Sequence, residues 1–352
     1  MNPSTSTSTY LVTGGAGFIG SHLTDALLAQ GHTVVVLDDL STGSRANLED
    51  AWPDPRLRFI RGSVLDERLV DELTGRCDRV VHLAAAVGVR LIVEQPLTSF
   101  RTNVRGTENV IEAAHRHGRP ILLASTSEIY GKNSAGPLTE TSDRILGATS
   151  VARWSYSTAK AVDEILAFAY HRELGLPTTV VRLFNTVGPR QSPAYGMVVP
   201  RLVRQAVAGE PLTVHGDGTQ RRCFAHVADV VDALLRLLGE PAAAGSAFNI
   251  GTAEETSIAD LAARIVRRSG SPSPVDLVPY AKAYPTGFED MERRLPDTAR
   301  LRALTGWRPR RTLDDILDAT IAEARAERTV PSPGTPPGPP SGQPAAPERA
   351  LA

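Results

Sequence analysis

The sequence predicts an α/β protein with a doubly wound parallel sheet and a second, smaller α/β domain. Three observations predict this fold class. Short apolar runs alternate with helical patterns from Tyr10 to Phe184. A glycine-rich turn joins the first run to the first helix, and small or polar residues follow the ends of several later runs. Because parallel strands end at one edge of a sheet, a ligand is expected at that edge.

The first strand, turn and helix surround the stretch Thr13-Gly14-Gly15-Ala16-Gly17-Phe18-Ile19-Gly20. Apolar residues precede this stretch, and a helical pattern with Leu23 and Leu27 on one face follows it. Such a turn offers backbone N–H groups and a helix N-terminus to a pyrophosphate. The glycines are spaced G-x-x-G-x-x-G rather than G-x-G-x-x-G, and a glycine run alone often only shapes a turn.

The next apolar run supports the dinucleotide hypothesis. Val34 to Leu37 reads as a buried strand, and Asp38 follows it about 20 residues beyond the glycine loop, where a ribose-binding acid belongs. The alternative is that Asp38 only caps a turn. Strand, loop, helix and acid coincide, which favours a dinucleotide site, and an acid here would repel the 2′-phosphate of NADP. NAD is therefore the expected cofactor.

The remaining pattern extends the sheet and adds a lid. Further strands are predicted at residues 57–60, 80–86, 121–124, 179–184, 212–214 and 247–250. Helices are predicted at residues 98–117, 156–174, 197–208, 227–238, 258–268 and 313–326. His82 has apolar neighbours in the sequence, so we expect a hydrogen-bonded core histidine rather than a catalytic one.

These elements divide the chain into two domains and two tails. Residues 10–182 with 222–251 are expected to form a Rossmann-type NAD-binding domain, and residues 183–221 with 252–328 a smaller substrate-binding domain. Residues 1–9 are rich in Ser and Thr, and residues 329–352 are rich in Pro, Gly and Ser. Both tails are expected to be disordered.

The composition excludes several classes of protein. The chain has 352 residues, 41% hydrophobic and 22% charged, with a net charge of −1. These values indicate a globular protein without general attraction to nucleic acid or anionic lipid. Only Cys77 and Cys223 are present, so we expect no disulfide framework, no metal site and a cytoplasmic location. No run is long enough for a membrane span, and any anionic substrate must be held by a few placed arginines.

Tyr156 and Lys160 are four residues apart on one face of a predicted helix. A free tyrosine titrates near ~10 and is a poor base at neutral pH. A nearby lysine and a cationic nicotinamide would both lower the pKa of Tyr156. Thr126, at the end of the preceding strand, can bind the same substrate oxygen. A chance Tyr/Lys pair is the alternative, but the chain has only three lysines, which favours the catalytic hypothesis.

With these motifs the chain resembles the extended short-chain dehydrogenase/reductase family of nucleotide-sugar enzymes. The resemblance covers nearly the whole ordered chain, through TGGAGFIG, the LAA at Leu83 to Ala85, the YxxxK at Tyr156 to Lys160 and RLFNTVGPR from Arg182 to Arg190. It implies Thr126, Tyr156 and Lys160 as the catalytic triad, and a homodimer formed through helices 98–117 and 156–174. The residues it places around NAD are Gly14, Gly17, Phe18, Ile19, Asp38, Ser63, Val64, Leu83, Ala84, Ala85, Tyr156 and Lys160. Many members have an Asp in place of Ser63, which weakens one adenine contact.

Two segments resemble the UDP-glucuronate decarboxylases (UDP-xylose synthases) within this family. The first is Ser-Thr-Ser-Glu-Ile-Tyr-Gly at residues 125–131. The 4,6-dehydratases have an acidic Asp at Ser127, and 4-epimerases usually lack a Glu at Glu128. The second is residues 289–297, where Arg294 matches the arginine that the decarboxylases need. The Arg153-Trp154 pair also resembles the bacterial decarboxylase domain of lipid A aminoarabinose synthesis. A solvated Glu128 and a surface Arg294 are the alternatives, and their joint occurrence favours the decarboxylase.

The resemblance implies oxidation at C4 of the sugar followed by loss of CO₂. Tyr156 would take the 4-OH proton while NAD accepts the C4 hydride, and Thr126 and Tyr156 would stabilise the enolate left by decarboxylation. Arg294 and Glu128 would orient the carboxylate and manage protonation at C5, with the two roles undivided. The substrate-binding residues it implies are Ser127, Asn185, Arg201, Arg222 and Arg294.

The predicted function is therefore NAD-dependent decarboxylation of UDP-glucuronate. The product is UDP-xylose if the hydride returns, or the UDP-4-keto-pentose if the ketone is released early. A nucleotide-sugar 4-epimerase is the alternative enzyme, because it shares the oxidation step. An NAD-binding regulator without catalysis is a third hypothesis, but such proteins commonly lose the Tyr or the Lys.

Overall fold

A seven-stranded, all-parallel sheet organises the chain. The structure is a computed structural model that describes residues 7–88, 95–193, 197–283, 291 and 293–329. The strands of the main sheet are β1 (Thr9–Thr13), β2 (Thr33–Asp38), β3 (Leu57–Arg61), β4 (Arg79–His82), β5 (Ile121–Thr126), β6 (Thr178–Leu183) and β11 (Ser246–Ile250). Their order is β11-β6-β5-β4-β1-β2-β3. The strand order reverses direction at β1, which creates the crevice where ligands bind in such sheets.

Helices cover both faces of this sheet, so its strands are apolar on both sides. The helices are α1 (Phe18–Ala29), α2 (Glu67–Gly75), α3 (Pro96–Arg116), α4 (Ser155–Leu174), α5 (Val198–Ala208), α6 (Val227–Leu238), α7 (Ile258–Ser269), α8 (Tyr280–Ala283), α9 (Ala299–Thr305) and α10 (Leu313–Thr329). One core layer includes Leu23 of α1 and Leu234 of α6. The other includes Val70 of α2 and Ile111 of α3. The predicted doubly wound α/β fold is confirmed.

A separate apolar core joins α5, α7 and α10. Three two-stranded sheets accompany this core. Their strands are β7 (Thr186–Val187), β8 (Leu212–His215), β9 (Arg221–Cys223), β10 (Ala225–His226), β12 (Glu255–Ser257) and β13 (Val275–Val278). The pair β9–β12 is antiparallel, whereas β7–β10 and β8–β13 are parallel. This unit faces the main sheet across the crevice.

The structure differs from the sequence prediction at a few boundaries. Strand β1 begins at Thr9, inside the stretch expected to be disordered, because Thr9 pairs with Thr33 of β2 and its N–H donates to Asp78. Strand β4 ends at His82 instead of residue 86. Thr329, expected in the disordered C-terminal tail, is the last residue of α10. Residues 1–6 and 330–352 of the predicted tails lie outside the described residues.

His82 is fully buried at the end of β4. Its Nδ1 lies 2.7 Å from Thr13 Oγ1, and its Nε2 lies 3.1 Å from Thr107 Oγ1. The prediction of a hydrogen-bonded core histidine is confirmed.

Candidate active site

A cleft of about 890 Å³ runs along the carboxyl edge of the main sheet. Its walls come from the glycine turn, from the ends of β2, β4, β5 and β6, and from residues of the smaller unit. Parallel strands all end at this edge, so residues far apart in sequence meet there. The cleft can therefore hold an extended ligand between the sheet and the smaller unit.

The glycine turn has no room for side chains. Gly14 has a φ of 71°, and a Cβ there would lie 2.7 Å from the Ala84 nitrogen. A Cβ on Gly20 would lie 2.1 Å from the Gly14 carbonyl oxygen. The backbone of the turn thus packs directly against β4 and the first turn of α1, with the helix N-terminus at the cleft. This cradle fits the pyrophosphate of a dinucleotide.

Gly20→Ala should weaken NAD binding and stability together. The added methyl would press on the carbonyl oxygen of Gly14, and overpacking of this kind costs about 1–3 kcal/mol or more. Thermal unfolding with and without NAD measures both effects. Gly239→Ala is the matched control, because the nearest atom to its Cβ would be 3.6 Å away. Equal NAD-induced stabilisation in the two variants would contradict the prediction.

Asp38 has the turn-holding role that the sequence offered as one alternative, and the ribose-binding role stays a prediction. Its Oδ2 accepts from Ala16 N at 2.9 Å and its Oδ1 from Leu40 N at 2.8 Å, so it holds the turn. It also lines the cleft. Burial raises the pKa of Asp38, and the hydrogen bonds from Leu40 and Ala16 oppose that rise. A buried acid beside the glycine turn disfavours a 2′-phosphate, in line with NAD.

Thr126 ends β5, and Tyr156 lies in the first turn of α4; both line the cleft. Burial raises the pKa of Tyr156 strongly, and the anions Glu128 and Asp163 raise it further. A hydrogen bond with Thr126 opposes this rise. Tyr156 therefore needs additional positive charge to act as a base near neutral pH.

Lys160 pairs with an anion on its own helix. Its Nζ donates to Asp163 Oδ2 at 2.8 Å, and its side chain is buried instead of lining the cleft. A buried ammonium requires an anion, and Asp163 on the next turn of α4 supplies it. The lowering of the Tyr156 pKa by Lys160 and a cationic nicotinamide stays a prediction.

Glu128 forms the centre of a buried charged cluster. Its Oε2 pairs with Arg153, and its Oε1 lies 2.8 Å from Arg294 Nη1. Burial alone would raise the pKa of Glu128, but Arg294 and Arg153 outweigh it and lower the pKa to about 2. Glu128 is thus an ionised carboxylate at neutral pH and is not a solvated strand-end acid. Arg294 is only 8% exposed, so it is not a surface arginine either.

Tertiary contacts bring Arg294 to β5 from 167 residues away. Leu138 N donates to the Leu295 carbonyl at 2.7 Å, and Asp297 N donates to the Leu138 carbonyl at 2.9 Å. Asn249 Nδ2 also donates to the Asp297 carbonyl, at 3.1 Å. These bonds fix the described part of the arginine-proline segment. Residues 289, 290 and 292 of that segment lie outside the described residues.

Three residues of this cluster and its support were not predicted as site residues. Arg153 is one of them, although its position three residues before Tyr156 is a usable signal. Glu164 and Arg182 form a buried ion pair behind β5, at 2.7 Å, and Ser125 Oγ donates to Glu164 at 2.5 Å. No sequence pattern pointed to this pair, because α4 and β6 meet only in the folded chain.

The predicted substrate-binding residues Ser127, Asn185, Arg201 and Arg222 all line the cleft. Asn185 Nδ2 donates to the Cys223 carbonyl at 3.0 Å, and Arg201 Nη1 donates to the Thr213 carbonyl at 2.7 Å. Arg222 is 6% exposed. Their roles stay predictions.

Most of the predicted cofactor residues share the same cleft. Those that line it are Gly14, Gly17, Phe18, Ile19, Asp38, Val64, Leu83, Ala84, Ala85 and Tyr156. Ser63 lies between two residues of the cleft wall and its Oγ accepts from Leu65 N at 3.2 Å, so its adenine contact stays a prediction. Its neighbours Gly62 and Val64 form that part of the wall instead.

The described ranges, residues 7–88, 95–193, 197–283, 291 and 293–329, bear on two further features, a membrane span and a metal site. No helix there combines the length and the apolar character needed to cross a membrane. No group of three or more His, Cys, Asp or Glu side chains there could hold a metal ion.

Comparison with known proteins identifies the family and the relatives that the chain resembles. The profile described as "NAD dependent epimerase/dehydratase family" matches residues 10–251. A UDP-N-acetyl-alpha-D-glucosaminuronate decarboxylase of Bacillus cytotoxicus is 40% identical over 88% of this chain and 96% of its own length. UDP-glucuronic acid decarboxylase 1 of Xenopus tropicalis is 35% identical over 90% of this chain and 72% of its own.

A solved structure gives the same result for the fold. UDP-glucuronic acid 4-epimerase from Bacillus cereus, in complex with UDP-glucuronic acid and NAD, has a TM-score of 0.81 and 29% identity. The match covers 91% of this chain and 99% of that one. The prediction of NAD as cofactor is confirmed by the family description. The chain belongs to the NAD dependent epimerase/dehydratase family, the extended short-chain dehydrogenases/reductases.

Proposed function

We propose that this protein is an NAD-dependent decarboxylase of UDP-hexuronates, which converts UDP-glucuronate through a 4-keto intermediate to UDP-xylose or the UDP-4-keto-pentose. The observation that carries the proposal is the Arg153–Glu128–Arg294 cluster, buried beside Thr126 and Tyr156 in one cleft. Oxidation alone needs only the tyrosine site. A second site built from buried arginines suits a substrate that carries a carboxylate. The names of the related decarboxylases agree with this function.

The chain's own groups can take the hydroxyl proton and stabilise the charge that the reaction develops. Bound NAD would accept the hydride from C4 of the sugar. Tyr156 would accept the proton of the 4-OH, and Thr126 would donate a hydrogen bond to the same oxygen. The ketone at C4 makes the carboxylate part of a β-keto acid, and loss of CO₂ leaves negative charge on O4. Tyr156 and Thr126 are placed to stabilise that charge.

The structure supports different roles for Arg294 and Glu128. Arg294 Nε is buried and has no hydrogen-bond partner among the described residues. We infer that this guanidinium binds the substrate carboxylate. Glu128, with a pKa lowered to about 2 because Arg294 and Arg153 outweigh its burial, is a poor proton donor at neutral pH. We infer that Glu128 orients Arg294 and that another group protonates C5.

A UDP-hexuronate with an N-acetyl group at C2 of the sugar is a second candidate substrate. The relative that is 40% identical is named a UDP-N-acetyl-alpha-D-glucosaminuronate decarboxylase, whereas the UDP-glucuronic acid decarboxylase from Xenopus is 35% identical. Both substrates have the same C4 hydroxyl and C6 carboxylate, so the proposed chemistry is the same. The uridine diphosphate would lie among Asn185, Arg201 and Arg222.

Mass spectrometry of the purified protein with NAD and each uronate tests the proposal. We expect a product lighter by CO₂ from UDP-glucuronate, and comparison of the two rates identifies the preferred C2 substituent. Faster turnover of the N-acetylated substrate would revise the sugar but keep the reaction. An isomer of unchanged mass would instead establish the 4-epimerase alternative, and no turnover of either uronate would overturn the proposal.

We further propose that the protein forms a homodimer through α3 and α4. These two helices pack side by side, and their outer faces expose large apolar side chains. Leu97 and Phe100 of α3 are exposed, as are Val162 and Ile165 of α4, with Ile165 65% exposed. A second copy related by a two-fold axis would bury both sets at once, because a two-fold interface uses the same patch on each subunit.

Ile165→Glu should therefore shift the protein towards the monomer. A carboxylate at the centre of the apolar patch would have to be desolvated in the dimer. Sedimentation velocity over a range of concentrations measures the effect. Leu277→Glu is the control, since Leu277 is an exposed apolar residue on β13. A monomeric wild-type protein, or equal behaviour of both variants, would contradict the dimer.

We also propose a two-domain division and a cytoplasmic location. The separate core of α5, α7 and α10 supports the division into an NAD-binding domain and a substrate-binding domain. Both Cys77 and Cys223 are free and buried, which supports a reducing cytoplasmic location.

A further inference from the structure

A buried ion pair lies on α4, one turn beyond the catalytic tyrosine. Lys160 Nζ and Asp163 Oδ2 are 2.8 Å apart, and both side chains are at most 2% exposed. Asp163 Oδ1 makes no standard hydrogen bond within the described part of the chain, so this oxygen remains an available acceptor. The pair is not explained by packing alone, because two buried apolar residues would fill the same space without the cost of desolvation.

A chain of polar contacts leads from this carboxylate to the wall of the cleft. The Thr107 hydroxyl faces Asp163 and lowers its pKa, against the larger opposing effect of burial. His82 joins Thr107 to Thr13, with contacts of 3.1 Å and 2.7 Å. Ala84 N donates to Thr13 Oγ1 at 3.3 Å, and Ala84 lines the cleft. The ion pair is therefore connected to the cofactor wall.

The proton positions along this chain follow from an ionised Asp163, which can only accept hydrogen bonds. Asp163 then takes the Thr107 proton, so Thr107 Oγ1 accepts from His82 Nε2. Burial lowers the pKa of His82 to about 3, so the ring is neutral and its Nδ1 is left to accept the Thr13 proton. Thr13 Oγ1 accepts from the Ala84 N–H, and the carboxylate accepts from both Thr107 and the lysine.

We propose that Asp163 is a positioning residue for catalysis. It holds the Lys160 ammonium in place, and its negative charge acts on Tyr156 when Tyr156 takes the substrate's proton. The proposal rests on the proposed function for the reaction itself. On the cleft side, the charged groups that act on Tyr156 electrostatically are Glu128 and Arg153. The other titratable groups that interact electrostatically with the ion pair are Glu164 and His82.

The sign of the effect follows from the charge of Asp163. An anion near a phenol opposes loss of the phenol proton, and Asp163 is one of the groups that raise the pKa of Tyr156 after burial and Glu128. The rate of C4 oxidation should rise as Tyr156 loses its proton with increasing pH. Asp163→Asn should therefore move this acidic limb to lower pH, by about one unit.

Lysine NMR gives a readout that needs neither substrate nor turnover. The chain has three lysines, Lys132, Lys160 and Lys282, so a sample labelled at lysine Cε gives few signals to assign. We expect Asp163→Asn to move the Lys160 signal and to leave the other two in place. Asp163→Glu keeps the charge on a longer side chain, so it should move the Lys160 signal but retain the wild-type acidic limb.

Asp229→Asn is the matched control for general loss of stability. Asp229 is also a buried acid, paired with Arg311 at 2.6 Å, but it lies on α6 and does not line the cleft. The Asp229→Asn change should lower thermal stability, but it should leave the Lys160 signal and the acidic limb of the pH profile where they are in the wild type. An unmoved Lys160 signal in both Asp163 variants would overturn the positioning role. An unmoved acidic limb in Asp163→Asn would overturn the assigned effect on Tyr156. If the wild-type protein turned over neither uronate, the proposed function would be overturned, but the NMR test of the positioning role would still stand.

Discussion

Replacing Tyr156 with phenylalanine should slow C4 oxidation by about 10²- to 10⁴-fold, the usual contribution of a positioned general base. The change removes one oxygen from a buried ring, so the shape of the cleft is preserved. Tyr156 is the one phenol among the described residues that lies in the cleft beside Thr126. The formation of reduced nicotinamide in a single turnover with a UDP-hexuronate measures this step directly.

Tyr170→Phe provides the matched control for this experiment. Tyr170 lies on the same helix, contacts His115 and does not line the cleft. Both variants should bind NAD like the wild type, because the pyrophosphate cradle is formed by the glycine turn. Unchanged oxidation in Tyr156→Phe would remove the tyrosine from the mechanism and revive the hypothesis of a noncatalytic NAD-binding regulator.

Arg294→Ala should separate decarboxylation from oxidation. We expect CO₂ release to fall by about 10²- to 10³-fold, the effect of removing one preorganised donor from a reacting anion. Glu128 would keep Arg153 as a cationic partner, so the buried carboxylate would not be left uncompensated. Reduced nicotinamide should still form, because Tyr156 and Thr126 are untouched. Labelled CO₂ and nicotinamide absorbance, followed on the same sample, measure the two steps.

The neighbouring arginine is an unusually close control. Arg293 pairs with Glu255 at 2.6 Å and does not line the cleft, so Arg293→Ala should leave both steps near the wild-type rate. If Arg294→Ala failed to bind NAD, the local role of Arg294 would be refuted. If it released CO₂ as fast as Arg293→Ala, the carboxylate would have to be bound elsewhere in the cleft.

The pattern of apolar runs was sufficient to predict the sheet. Strands with near-continuous Val, Leu and Ile must be buried on both faces, and the helices between them must return the chain to the same edge. The spacing from the glycine turn to Asp38, and from Tyr156 to Lys160, depends only on local geometry. Both pairs could therefore be assigned to strands, turns and helix faces without a structure.

The charge environment of the catalytic groups could not be predicted in the same way. The spacing of Tyr156 and Lys160 could not show that Lys160 pairs with Asp163, or that burial and the anions Glu128 and Asp163 raise the pKa of Tyr156. A pKa depends on burial and on every nearby charge, and those charges come from β5, α4 and the arginine-proline segment.

The sequence by itself determined the fold class and the cofactor and was sufficient to predict the reacting side chains, because these follow from short-range spacing and residue type. Only the tertiary structure decided that Glu128 is an anion between Arg153 and Arg294, and that Ser63 Oγ accepts from Leu65 N. The physical reason is that the chain must close a loop of more than 160 residues to bring Arg294 to Ser127. Contacts across such a separation are set by packing of whole elements, which no local pattern encodes.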